Sequence, residues 1–92
     1  MSFVPQEIQD ALESEDVYCY HKWSEFVGAG NTPNGRPYNE RSIDEWVLYM
    51  FDYMREAVTQ TTRGDETAAL HTIRKVTNMG VNAMKQHGAL PR

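Results

Sequence analysis

The chain has 92 residues, with nine basic and thirteen acidic side chains, a formal charge of -4 and one cysteine. A chain of this length supports one domain and buries only about 60 to 65 % of the surface its unfolded form exposes, a limit that self-association would ease. The acidic balance argues against general binding to duplex nucleic acid or an anionic membrane, although a local basic patch is a separate matter.

Cys19 stands alone, which excludes an intrachain disulfide and reads as a half-buried thiol in a reducing compartment. The opening MSFVPQEIQ has neither the basic start nor the apolar run of a secretory signal, and no stretch approaches about 18 apolar residues. The expectation is a soluble protein of the cytoplasm, bacterial or of an infected host.

Three helices are predicted in chain order. Pro5 suits a first turn, and Val4, Ile8, Ala11 and Leu12 follow helical spacing, so α1 is expected over about 5–27. A break is conceivable at SED, where Ser14 and Asp16 compete for backbone hydrogen bonds. Residues 28–41, GAGNTPNGRPYNER, are rich in turn formers and predict one long loop. SIDE then reads as a capping box in which Ser42 and Glu45 satisfy each other's amides, opening α2 over about 42–62. RGDE closes α2 at Gly64 and opens α3 at Asp65, with α3 continuing over about 66–87 until Gly88 and Pro91. No strand alternation or repeat appears. The fold class is all-α, a small bundle in which an antiparallel α2–α3 hairpin joins an N-terminal helix, and oligomerisation is expected.

At about 100° per residue, Trp46, Val47, Met50, Tyr53, Met54, Ala57 and Val58 of α2 share an arc of roughly 160° that reads as core or interface. Leu48 and Phe51 widen it beyond what one partner helix covers. Glu45, Asp52 and Glu56 fall together on the other side, with Tyr49 alongside, as a solvated acidic face or a metal site. On α3, Leu70, Ile73, Val76, Thr77, Gly80, Val81 and Met84 form the apolar side expected to pack on α2. His71, Arg74, Lys75, Asn78, Asn82 and Lys85 form the other, either a solvated stripe or one suited to an anionic ligand.

His21, His71 and His87 show no metal-ligand spacing, GAGNTPNG is not a P-loop, and no Ser, His and Asp arrangement signals a hydrolase. In YHKWSEF, Tyr20 or Trp23 could stack on a base, or the segment is simply an amphipathic face.

HKWSEF, SIDEWVLYMFDYMREA and ALHTIRKVTNMGVNAMKQHG, taken in this order over about residues 20–88, resemble small bacteriophage proteins of the MazG-like, all-α NTP pyrophosphohydrolase group. The resemblance implies dimers or tetramers and magnesium-binding EExxE and ExxD motifs. The first falls on Asp52, Tyr53 and Glu56, so one acid is missing. The second falls on Thr72 and Lys75, where both are missing and a lysine repels the metal. The leading expectation is therefore a non-catalytic protein, phage-encoded, that sequesters a phosphorylated nucleotide or nucleotide signal through His71, Arg74, Lys75, Asn78 and Asn82, with no cofactor. One alternative is an interaction module or phage inhibitor that docks on a host protein through Trp46, Phe51 and Tyr53. The other is an active pyrophosphohydrolase with Asp52 and Glu56 as metal ligands.

Overall fold

The computed structural model describes residues 4–27 and 40–92. Apart from Glu40 and Arg41, the loop expected over 28–41 lies outside the described residues, as do the side chains from Trp23 to Val27. The described residues form three helices, α1 Gln6–Val27, α2 Ile43–Thr62 and α3 Glu66–His87, and no strand. The all-α class is as the sequence predicts. The chain divides into two compact units, Met1–Glu40 and Arg41–Arg92.

In the first unit, α1 runs unbroken through Ser14, Glu15 and Asp16. Pro5 stands just outside the helix, and its carbonyl accepts the amides of Ile8 and Gln9 at 3.0 and 3.2 Å. Glu15 is buried on α1, and Cys19, one turn later, donates its thiol hydrogen to Glu15 Oε2 at 3.4 Å.

The second unit is an antiparallel hairpin of α2 and α3, and its ends are built as the sequence suggests. Ser42 Oγ accepts the Glu45 amide at 3.1 Å while Glu45 Oε1 accepts the Ser42 amide at 2.9 Å, closing the capping box. At the turn, the Gly64 amide donates to Thr61 O and the Asp65 amide to Gln60 O, the paired bonds of a Schellman ending, with Gly64 at φ 78° where a side chain would be strained. Asp65 serves both helices: its amide closes α2, and its carboxylate accepts the Ala68 amide at 3.0 Å to open α3.

The hairpin interior differs from the expectation in which strips meet. Trp46, Ala57 and Ala69 are its buried apolar residues, joined by buried Thr72. Trp46, Met50, Tyr53, Ala57 and Gln60 recur at four- and three-residue steps along α2, the spacing of a helix-packing seam. Across it stand Ala69, Thr72 and Val76. Gly80 lies close by, where an added Cβ would meet Met50 Cε at 3.5 Å. Of the strip expected to pack on α2, Val76 and Gly80 do so, while the rest of its outer edge is turned aside: Leu70 is 65 % exposed, and Ile73, Thr77 and Met84 are exposed as well. The broad apolar arc of α2 likewise divides, with Val47, Met54 and Val58 left exposed. One neighbouring helix covers one strip, and small residues at 57, 69, 72 and 80 let the two backbones approach along this one.

Hydrogen bonds pin both ends of the seam. Near the turn, Thr72 Oγ1 donates to Gln60 Oε1 at 2.7 Å, and Gln60 Nε2 donates to Glu56 Oε1 at 3.3 Å. At the open end, Gln86 Oε1 accepts from the Trp46 indole N–H and the Arg41 amide, each at 3.1 Å. His87 Nε2 donates to Arg41 O at 2.7 Å, and the Arg41 guanidinium lies 4.6 Å from the Tyr49 ring centre.

Candidate functional site: two faces of the hairpin

The seam leaves the hairpin with two unlike sides. On α2, Ile43, Val47, Phe51, Met54 and Val58 lie about 100° round the helix from the seam, in the sense of increasing residue number. All are exposed, Phe51 at 61 % and Val58 at 62 %. On α3, Leu70, Ile73 and Met84 lie about 100° from their own seam in the same sense, with Thr77 between. Because the helices run antiparallel, equal rotations taken along each chain bring both strips to one side of the pair. The result is a two-helix-wide apolar face. Arg55 and Asp44 border it on α2, and Arg74 borders it on α3.

Contiguous exposed apolar area of this extent is uncommon on a surface that meets only water, and it marks sites of protein contact. Phe51 belongs to this face. Of the other residues expected at an interface, Trp46 is 4 % exposed and spends its indole N–H on Gln86, so it belongs to the hairpin interior. Tyr53 is half-buried in the seam, with Lys75 Nζ 5.9 Å from its ring centre.

The opposite side is polar. By helical rotation it gathers Asp52 and Glu56 of α2 with His71, Lys75, Asn78 and Asn82 of α3. These groups are not equally available to a ligand. Asn78 and Asn82 are 5 % and 7 % exposed, and Asn82 Nδ2 donates to Asn78 O at 2.9 Å. His71 Nδ1 is in hydrogen-bond contact with the Arg74 guanidinium, which sits at the outer edge of α3. Lys75 is half-buried. The amides that the sequence places on an open stripe are thus enclosed, a fact no helical periodicity signals.

A magnesium site needs several oxygen ligands converging on one point, and the candidate ligands Asp52 and Glu56 are engaged with neighbours on their own helix. The Asp52 carboxylate stands 3.9 Å from Arg55 in an exposed pair, Glu56 accepts from Gln60, and the buried Thr72 hydroxyl is committed to Gln60. Among the described residues, no three His, Cys, Asp or Glu side chains are grouped to hold a metal. Nor is any described helix long and apolar enough to cross a membrane. Comparison of the chain with protein-family models, with curated proteins and with solved structures finds no match.

Proposed function

We propose that the chain is a protein-interaction module that works by docking the apolar face of its α2–α3 hairpin on another polypeptide. The observation that carries this reading is the alignment of the two exposed strips, centred on Phe51 and Ile73, on one side of the pair. Large apolar side chains at the centre of a face, with charges of both signs at its border, are the composition of an interface core and rim. Placing the photo-cross-linker p-benzoylphenylalanine at Phe51 tests it, with the same replacement at Glu56 as control. A protein adduct in cells is expected at position 51 and not at 56; equal yields at both positions would reject the apolar face as the docking surface.

The second reading is capture of a phosphorylated nucleotide on the polar side. It is favoured by the Lys75 ammonium group lying on that side, 5.9 Å from the Tyr53 ring centre. With Asn78 and Asn82 enclosed, the contact falls to the cations. Calorimetry against mono-, di- and cyclic nucleotides decides it. Lys75→Ala should weaken a genuine affinity by about 1.5 to 3 kcal/mol, the range for a hydrogen bond to a charged group.

A further inference from the structure

Resting on the docking reading above, we propose that the occupant of the apolar face is a second copy of this chain, so that two α2–α3 hairpins complete a four-helix bundle. Three observations point to this partner. The first is the angle. On both helices the exposed strip stands about 100° from the seam already in use, close to the right angle at which a helix in a four-helix bundle meets its two neighbours, whereas a single added helix in a triangular bundle needs about 60°. A two-helix-wide partner fits this face, and the chain's own hairpin is one.

The second observation is the spacing within the strips. Val47, Phe51, Met54 and Val58 follow steps of four, three and four; Leu70, Ile73, Thr77, Gly80 and Met84 follow three, four, three and four. These are the steps by which side chains of one helix seat between those of another over several turns. On α3 the strip is carried by Leu70, Ile73, Thr77 and Met84, with Gly80 at its inner edge, turned towards Met50.

The third is area and charge. The exposed parts of the strips present on the order of 800 Å², the share one partner contributes to a specific interface of standard size. Neither strip holds a charged residue between Val47 and Val58 or between Leu70 and Met84. The net charge of -4 repels a second copy in general, but no acid has to be desolvated on this face. The border also carries both signs, Asp44 with Arg55 and Glu66 with Arg74. A two-fold interface must match itself, and a mixed-sign border can do so where a border of one sign could not.

The test uses the full chain. Sedimentation from about 1 to 100 micromolar is expected to show a species of two chains. In the same samples the methyl groups of Met54 and Met84, labelled for NMR, should be shielded from a soluble paramagnetic probe. Val58→Thr and Ile73→Thr, polar replacements mild enough to keep the helices, should each weaken the dimer about tenfold, with the helical circular dichroism unchanged at high concentration. A monomer throughout the range overturns the proposal. If its methionine methyls are then open to the probe, the face is still a docking surface and only the second copy is wrong. If they are shielded in a monomer, the chain covers the face itself and the docking reading fails too. A dimer indifferent to both substitutions is held by another surface and also overturns it.

Discussion

Gln86 gathers the open end of the hairpin with one oxygen. Its Oε1 accepts both the Trp46 indole N–H and the Arg41 amide. Trp46 is buried, so removing its acceptor strands a donor away from water, which costs about 1 to 3 kcal/mol. Gln86→Ala is expected to lower the urea unfolding free energy by that amount, and a change below about 0.5 kcal/mol would show that water replaces the acceptor. On α1, Cys19 is the half-buried thiol expected of a cysteine standing alone in the sequence. Burial, the hydrogen bond to Glu15 and the nearby Glu15 and Asp16 charges push its thiol up from 9.0 to about 11. The folded chain therefore favours the protonated thiol: Cys19 contributes stability in full below pH 9.0, and that contribution is lost as pH rises towards about 11. At neutral pH a shift of about two units leaves about a hundredfold less thiolate than in the unfolded chain. Alkylation of native protein should be slower by about that factor, and Glu15→Gln should recover part of the rate.

At the scale of the elements, two glycines of the hairpin should respond to alanine with opposite sign. Gly64 closes α2 at φ 78°, a conformation that costs an L side chain about 1 kcal/mol, so Gly64→Ala should destabilise by that amount. Gly80 is helical, and a Cβ there would meet Met50 Cε at 3.5 Å, an ordinary contact. Gly80→Ala should therefore keep the hairpin seam and gain up to about 1 kcal/mol of helix propensity. Thermal melts of the two variants check both signs together. The capping box gives a third case: Ser42→Ala removes the acceptor of the Glu45 amide and should cost about 0.5 to 2 kcal/mol. These caps were legible because their chemistry is local. Ser42 with Glu45, and Gly64 with Asp65, bond to backbone groups no more than five residues away.

At the scale of the whole molecule, the α2–α3 unit is short of interior. Its buried apolar residues are one tryptophan and two alanines, while Phe51, Leu70, Ile73 and Met84 face outward. A two-helix unit with so little covered apolar surface gains little from folding alone, and the dimer proposed above would supply what the seam does not. Its unfolding temperature should thus rise with protein concentration, as mass action requires when folding and dimer formation are coupled. A melting point constant over a hundredfold range of concentration would mean that the outward residues add nothing to stability through a partner.

The sequence by itself determined the helices, the caps of α2 and α3, the hairpin connection and the division of those two helices into apolar and polar sides. All of these depend on contacts or periodicities within about one helical turn or along one helix. Only the tertiary structure decided which side meets which. Leu70, Ile73 and Met84 share a face on any reading of the sequence, yet whether that face looks at α2 depends on the rotation of α3 about its axis. The Schellman turn at 60–65 and the close approach at Ala57, Ala69 and Thr72 set that rotation together. The rotation of α2 about its own axis likewise turns Trp46 into the seam and leaves Phe51 outside it, two residues expected at one interface. The structure also distinguishes the enclosed Asn78 and Asn82 from the exposed His71, although a helical wheel puts all three on one stripe and rotation alone cannot separate them. A periodicity fixes relative angles within a helix; the absolute angle towards a neighbour belongs to the pair.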